Sequence, residues 1–559
     1  MATSKKSPKP APLPVPEDVL SIWADIKNKV ALQLFHPSPD KRIDAVAALK
    51  DKFNYYDRRG ALLLSAALAE PDASVRTAML AAIAHTGSYL SWQDTLRLRA
   101  NAARFIEGDD LERIAYARCL AESGAPVVEE DLAWLAALVD GAASQEEDAW
   151  SVVVRLVVRA AQRGVALDRA LALYGRMASH AVHGRRTLWT FKELGEHRVK
   201  LVPTLLSLVD VENVCDATDS AAQCLAWLGP TPHDAAVLRA LERHRARATR
   251  DVWQWDLAIG LVDRASLPAR IDRNEAAMRE AASQASYNGW VIEPLSWVAD
   301  RAERFVEQCA RGVLTTVAYV SEDTMQRWVR ANPEAMAKAL EPTLFAQYDG
   351  VNVVRWWDQL RPDTAAADAL SLIERVLAET PRGTLSYQRQ SLCDACCALL
   401  CRVRSAPDGA IELLAKLGAR QVPHLVGSVI PTARAMHALG AKREDFAPIV
   451  QAYEKEAVAS DKRASSDPKW DPEHSWGRKL RETATALSAL GSIASIRAHW
   501  SAFLHVFDYA SDLDHRWVLE MLEPHIAEPD VRALFEQSLV RPFATEQRLA
   551  AKALGLLRG

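Results

Sequence analysis

The chain has 559 residues, a formal net charge of −4 and a pI near 6.4, with 49% hydrophobic and 25% charged residues. This composition excludes an intrinsically disordered polymer and a globally basic nucleic-acid coat, although local basic patches remain open. At roughly 100–200 residues per compact domain, the length fits three or four ordinary domains or one elongated repeat structure. The 23 glycines and 27 prolines are few for this length, which disfavours an all-β fold with many hairpins.

The amino-terminal stretch, MATSKKSPKPAPLPVP, combines lysines with closely spaced prolines. A secretory signal needs an apolar run after its positive charges, and a proline-rich segment cannot supply one. Residues 1–17 are therefore predicted to be a disordered Pro/Lys-rich tail. The most apolar stretches are too short or too interrupted by charge to cross a bilayer of about 30 Å. We expect no contact with membranes and a cytoplasmic location, with reduced cysteines rather than a disulfide framework.

The periodicity that follows is helical, with apolar residues at spacings of three and four. The windows 36–53 and 69–87 each begin with proline and aspartate and continue into an amphipathic helix. Asp40 and Asp72 are predicted to cap the free N–H groups of these helices. An apolar stripe runs along each of them, formed by Ile43, Val46 and Leu49 in the first and by Val75, Met79 and Ile83 in the second. A neighbouring helix must cover each stripe.

These windows resemble the HEAT-repeat family, whose second helix commonly opens with aspartate and a Val-Arg pair. The pattern is carried by Asp72, Val75 and Arg76, and in a compressed form by Asp530, Val531 and Arg532. The window 36–53 departs from it, with Asp44 where the arginine would stand. A last window, 544–559, departs from it with Gln547 where the valine would stand. The resemblance implies an all-α fold, a right-handed α-solenoid of stacked antiparallel helix pairs in an armadillo-type superhelix.

Helical repeats of this kind need no conventional domain boundary, because each pair contacts mainly its neighbours. We predict HEAT-like repeats over 18–458, a long loop at 459–477 and further repeats over 478–559 that continue the same solenoid. The loop is rich in Ser, Asp and Pro, and long loops of this composition are often functional.

A cluster of four cysteines has the spacing C-x2-C-C-x3-C, formed by Cys393, Cys396, Cys397 and Cys401. On one helix these thiols share a face, but four tetrahedral zinc ligands cannot easily converge from a single straight helix. Alternation with Ala and Leu favours a packed core face over a metal site. Phosphate-binding glycine loops and the hydrolase nucleophile elbow do not occur in the sequence, so no cofactor, metal or catalytic residue is predicted.

Two stretches, 183–200 and 239–255, combine positive charge with aromatic residues. Lys and Arg neutralise phosphates, and aromatic faces stack on exposed bases. The candidate nucleic-acid-binding residues are Arg185, Arg186, Lys192, Arg243, Arg245, Arg247, Arg250 and Trp253. The alternative is that these are solvated helix ends whose tryptophans turn into the core. Some HEAT-like proteins, such as the alkylpurine DNA glycosylases, bind in a concave groove of this kind, and the resemblance is one of architecture only.

Seventeen tryptophans are mostly expected to fill gaps between small helices. Arg355, Trp356 and Trp357 form a denser group, and adjacent residues on a helix point about 100° apart, so one ring is expected to be exposed. Trp470 and Trp476 lie in the predicted loop and are either packed back onto the repeats or free to bind. An exposed tryptophan beside an arginine is typical of protein-binding hot spots.

The sequence favours a non-catalytic scaffold or adaptor that binds protein partners through an extended surface. The alternative is a nucleic-acid-binding solenoid that uses the two basic stretches. An enzyme of glycosylase type is a third and weaker hypothesis.

Overall fold

The computed structural model describes most of the chain, with gaps. The described residues are 13–15, 32–52, 59–85, 90, 92–123, 125, 127–210, 216–281, 288–307, 310, 322–344, 350–380, 385–403, 407–422, 429–464, 476–506, 516–539 and 544–556. Of the predicted tail, 1–17, only residues 13–15 are among them, and the Leu13 N–H donates to the Phe35 carbonyl at 3.2 Å.

The described residues form helices and turns, with no β-strand among them. The α-helices in the first half are α1 Pro39–Lys52, α2 Arg59–Ala69, α3 Ala73–His85, α4 Trp92–Ala100, α5 Ala102–Ile106, α6 Asp110–Ser123, α7 Asp131–Asp140, α8 Glu147–Gln162, α9 Leu167–Ala178, α10 Gly184–Trp189, α11 Val202–Val209, α12 Asp216–Leu228, α13 Asp234–Arg247, α14 Val252–Val262 and α15 Leu267–Ala281.

The second half continues with α16 Asn288–Leu295, α17 Ala299–Ala302, α18 Glu322–Ala331, α19 Pro333–Leu344, α20 Gly350–Leu360, α21 Ala365–Glu379, α22 Tyr387–Leu400, α23 Ala410–Gln421, α24 Ile430–Ala438, α25 Ala447–Ala464, α26 Trp476–Ala489, α27 Ile493–Ala498, α28 Trp500–Val506, α29 Arg516–Leu522, α30 Pro529–Leu539 and α31 Ala544–Ala553. Short 3-10 helices occur at Ala142–Gln145, Glu303–Phe305, Arg443–Phe446 and Glu523–His525. The segment Phe191–Leu201 forms two 3-10 helical pieces separated by a kink at Gly195.

The chain forms two compact units, one of Met1–Ala240 with Glu523–Gly559 and one of Leu241–Leu522. Within each unit a helix packs mainly against helices close to it in sequence, as α3 does against α2 and α6, and α25 against α26. This is the neighbour-to-neighbour packing of helical repeats. One continuous array over 18–458 and 478–559 stays a prediction. Glu523–Gly559 belongs to the same unit as the amino-terminal residues, and α31 contacts α4, a contact that sequence order does not indicate.

Helix α3 shows how the predicted capping and stripe are realised. The Asp72 carboxylate accepts hydrogen bonds from the backbone N–H groups of Ser74 at 2.9 Å and Val75 at 3.2 Å, which confirms the predicted cap. The hydroxyl of Ser74 also donates to it, and these bonds, Ser74 first, hold the pKa of Asp72 below its usual value. The stripe predicted on α3 is fully buried. Asp40, by contrast, lies inside the first turn of α1.

Two arginines, the buried Arg42 and the partly buried Arg76, join successive repeats in the same way. Arg42 of α1 forms a two-pronged ion pair with Glu70, with Nε–Oε2 at 2.7 Å and Nη2–Oε1 at 2.8 Å, and Arg76 of α3 does the same with Glu112, at 2.5 and 2.9 Å. The remaining Nη1 of each arginine donates to two carbonyls of the preceding His-Pro or Glu-Pro turn. The repeated contact joins each arginine to a glutamate 28 or 36 residues further along the chain.

This arrangement corrects the alignment of the first window. Asp44 was expected to replace the repeat arginine, but Arg42 occupies the equivalent place, because both arginines lie five residues after the proline of their turn. Arg532 is not equivalent: its side chain is exposed and pairs with Glu536 on its own helix. A short proline-to-arginine spacing at 529–532 keeps the guanidinium away from its turn.

The cysteine cluster lies on α22, and Cys393, Cys396 and Cys397 are fully buried, which confirms the predicted core face. Burial raises the pKa of Cys393 to about 12 and that of the other two well above the usual value, so these thiols are protonated at neutral pH. Cys401 is partly exposed, at the end of the helix. The cysteines at 215 and 309 lie outside the described residues.

Asp394, on the same helix, gives the first testable prediction. Desolvation raises its pKa to about 6, against an opposing hydrogen bond from Gln390 at 2.7 Å. Between pH 3.8, the pKa of the unfolded state, and about pH 6, the folded state binds more protons than the unfolded state. The free energy of unfolding therefore falls as pH rises through that window. Asp394→Asn is therefore expected to stabilise the protein at pH 7.5 by about 1–3 kcal/mol, given 1.36 kcal/mol per pKa unit.

Urea unfolding at pH 7.5 and pH 5.0 measures this effect. The gain from Asp394→Asn should shrink at pH 5.0, where the folded wild-type carboxyl is already mostly protonated. An equal gain at both pH values, or a loss at pH 7.5, would contradict the assignment.

Candidate binding surfaces

Helix α10, Gly184–Trp189, carries the beginning of the first basic stretch, with Arg185 and Arg186, and buried side chains hold it in place. The Trp150 Nε1 donates to Thr187 Oγ1 at 2.9 Å, and the Tyr174 hydroxyl donates to the Thr187 carbonyl at 2.6 Å. Both rings are fully buried. Gly184 lies so close to α9 that a Cβ there would stand 2.4 Å from the Ala178 carbonyl oxygen, so this position requires glycine. The helix is thus held in one orientation.

That orientation leaves Trp189 projecting into solvent, 62% exposed. The guanidinium carbons of Arg185 and Arg186 lie 5.4 and 5.9 Å from its ring centroid. Val182, just before the helix, is also exposed. We call Val182, Arg185, Arg186 and Trp189 the Trp189 surface. An exposed indole with an arginine rim is the composition of a protein-binding hot spot.

Several charges of this stretch already have acidic or aromatic partners. Arg186 pairs with Glu147, and Lys200 pairs with Asp168 at 3.1 Å. Lys192 lies over the ring of Trp227, with Nζ 3.9 Å from the centroid. Phosphate binding relies on cations that can neutralise phosphate charge, and these contacts reduce the positive charge that the stretch offers to a phosphate.

The second basic stretch is divided between solvent and core. Arg243, Arg247 and Arg250 are exposed, whereas Arg245 is half-buried and lies 3.4 Å from the buried carboxylate of Asp256. Trp253 is half-buried, and Trp255 is buried with its ring edge-on to His244 at 4.4 Å. The candidates from 243 onward belong to the second unit and Arg185, Arg186 and Lys192 to the first.

The expectation that Trp356 or Trp357 is exposed is wrong, since their exposed fractions are 4% and 3%. Helix α20 packs against several neighbours, among them α19 and α22, so two adjacent rings are covered from different sides. The Trp357 Nε1 donates to Asp368 at 2.7 Å. Arg355 is exposed, and its backbone carbonyl accepts from Arg402, which also pairs with Asp358 at 2.9 Å. The group is a joint between helices, with Arg355 as its exposed member.

Both ends of the predicted loop at 459–477 are helical in the structure. Helix α25 continues to Ala464 and α26 begins at Trp476. Trp476 is exposed, with Lys479 Nζ 5.7 Å from its ring centroid. Trp470 lies outside the described residues. A binding role for these two tryptophans stays a prediction.

A further exposed tryptophan, Trp297, was not indicated by any motif. It lies in the turn between α16 and α17, between Arg264 and Arg327, whose guanidinium carbons are 3.8 and 4.2 Å from its ring centroid. Glu293 accepts from Trp297 Nε1 at 3.2 Å and from Arg327 at 2.6 Å. We call Arg264, Glu293, Trp297 and Arg327 the Trp297 cluster. Its members come from three segments, so spacing along the chain gives no signal for it.

The described residues were also compared with what a metal site and a membrane-spanning helix require. They contain no group of three or more His, Cys, Asp or Glu side chains arranged to hold a metal ion. Across the same described part of the chain, every helix is too short or too polar to span a bilayer.

Comparison with known proteins gives no match to any family model, and no curated protein matches in sequence. Two solved structures align over 96% of this chain. One is Kap121p bound to Nup53p, at 10% identity over 71% of that chain with a TM-score of 0.43. The other is the karyopherin Kap121p bound to the SUMO protease Ulp1p, at 11% identity over 65% of that chain with a TM-score of 0.42. The described residues form an all-α fold whose helices pack mainly against their neighbours in sequence, a HEAT-like arrangement of helical repeats.

Proposed function

We propose that the protein is a non-catalytic scaffold or adaptor that binds a protein partner in the cytoplasm. The observation that carries this proposal is the Trp189 surface. Trp189 is large, exposed and set on a helix that Trp150, Tyr174 and Gly184 hold in place. A rigid aromatic anchor loses little conformational entropy on binding, which favours a protein partner.

The rim of the surface supports a partner that offers acidic side chains. Arg186 pairs with Glu147, and the guanidinium of Arg185 is exposed beside the indole ring of Trp189. A carboxylate on the partner would pair with Arg185 while an apolar side chain covers Trp189 and Val182. No catalytic residue, cofactor or metal enters this proposal.

The test is affinity purification of the tagged full-length chain, with quantification of every co-purifying protein. Trp189→Ser is expected to reduce the recovery of a specific partner at least tenfold, because the central apolar contact is lost. Leu111→Ser is the matched control, since Leu111 is 63% exposed and lies in the same unit.

Equal recovery of every co-purifying protein with wild type and Trp189→Ser would contradict the proposal. Nucleic-acid binding, the alternative that the sequence leaves open, has its own test. A gel shift with DNA and RNA at low salt, lost on charge reversal of Arg243, Arg245 and Arg247, would favour that alternative.

A further inference from the structure

The Trp297 cluster brings an aromatic ring and two guanidinium groups together at the surface of the second unit. Arg264 follows α14, Trp297 follows α16 and Arg327 belongs to α18. Trp297 is 46% exposed although both arginines lie within 4.2 Å of its ring centroid. Cation–π contact accounts for the stacking, but it leaves the hydrogen-bonding capacity of each guanidinium to be met by other groups.

The charge of Arg327 is met within the cluster. Its Nη2 donates to Glu293 at 2.6 Å, and its Nε donates to Ser296 at 3.3 Å. Glu293 also accepts from the Trp297 indole and from the Thr324 hydroxyl. The single carboxylate of the cluster is therefore occupied by three donors.

The guanidinium of Arg264 has no hydrogen bond or ion pair among the described residues, and its Nη1 is buried without an acceptor. Burial lowers the pKa of Arg264 to about 10, against the attraction of Glu293. A guanidinium nitrogen that has lost water and gained no acceptor is unfavourable, and a ligand carboxylate that pairs with this guanidinium would reduce that penalty. The cluster thus has one positive charge in excess and an apolar ring beside it.

We propose that Arg264 and Trp297 bind a carboxylate side chain, Asp or Glu, in a peptide segment of a partner protein. The carboxylate would pair with Arg264, and the neighbouring apolar part of the peptide would cover the exposed face of Trp297. The proposal depends on the protein-binding function proposed above only for the kind of molecule that carries the carboxylate.

The charge balance favours a peptide over a nucleic acid. One excess cation matches one carboxylate, whereas a nucleic-acid strand presents successive phosphates. Glu293 would repel a second anion because its negative charge lies within the same cluster.

The test uses the full chain labelled with 5-fluorotryptophan and fluorine NMR. The resonance of Trp297 among the 17 tryptophans is assigned from the spectrum of Trp297→Phe. The probes are an acetylated and amidated Ala-Leu-Glu-Leu-Ala peptide, its Gln analogue and an eight-nucleotide thymidine strand. The Glu peptide is expected to shift the Trp297 resonance saturably, with an apparent affinity at least tenfold above that of the Gln peptide.

Arg264→Gln should remove this preference for the Glu peptide, and Arg264→Lys should retain part of it. Because Lys keeps the positive charge, the comparison distinguishes the effect of losing the charge from an effect of misfolding. Arg375→Gln is the control, because Arg375 is exposed and paired with Glu379 on its own helix. No shift with the Glu peptide, equal shifts with the Glu and Gln peptides, or a shift with the thymidine strand alone would overturn the proposal. The purified protein and synthetic peptides suffice, so this result is independent of partner recovery through Trp189.

Discussion

Glu70→Ala is expected to destabilise the first unit by about 3–5 kcal/mol, the usual effect of removing one partner from a buried ion pair. The Glu70 and Arg42 side chains are almost completely buried, and their two bonds are 2.7 and 2.8 Å long. Without Glu70, the described hydrogen bonds of the Arg42 guanidinium are those to the carbonyls of His36 and Pro37, which carry no formal negative charge. Glu70 also accepts from the backbone N–H of Asp72, so the turn before α3 loses a contact as well.

Urea denaturation, followed by hydrogen exchange over residues 32–123, measures and localises this loss. Arg169→Ala is the matched control, because Arg169 joins Glu129 at 2.8 Å in an exposed pair, and exposed pairs contribute about 0–1 kcal/mol. The double substitution of Arg42 and Glu70 by Met should recover much of the stability, since no uncompensated charge remains. A loss below about 1 kcal/mol in Glu70→Ala would show that the pair does not hold the repeats together.

Trp150→Ala is expected to cost about 3–5 kcal/mol, the range for truncating a large buried aromatic side chain. Trp150 is fully buried and its indole lies against the rings of His180 and His183, with centroids 4.5 and 5.0 Å away. The substitution also removes the donor to Thr187, which positions α10. Backbone amides of α10, which carries Trp189, should therefore exchange faster when the core packed against it is destabilised.

Unfolding experiments give the stability change, and hydrogen exchange of residues 184–189 gives the local effect. Trp150→Phe should cost less, because it leaves a smaller cavity while still removing the indole N–H. Unchanged exchange over 184–189 in Trp150→Ala would contradict the proposed support of α10 by Trp150.

Local patterns account for what the sequence predicts correctly. The cap at Asp72, the stripe on α3 and the buried face of α22 depend on residues within one or two helical turns of each other. Spacings of three and four on a helix place such residues on one face whatever lies opposite. Helix caps and buried helix faces could therefore be predicted from the sequence alone.

Contacts between distant segments account for what the sequence missed. Arg42 pairs with Glu70, 28 residues away, and no local spacing indicates that partner. Trp356 and Trp357 are adjacent, and only the helices packed around α20 decide that both rings are covered. Trp297 meets Arg264 and Arg327 from three separate segments. Such sites depend on tertiary packing, which a helical pattern does not specify.

The central claim, that the Trp189 surface docks a protein partner, is tested most directly by photocrosslinking in the cell. The photoreactive residue p-benzoylphenylalanine replaces Trp189 in one variant and Leu111, of nearly equal exposure, in the other. The account predicts a discrete crosslinked product containing a second protein from position 189 and none from position 111. Absence of a product at 189, or the same products from both positions, would contradict it.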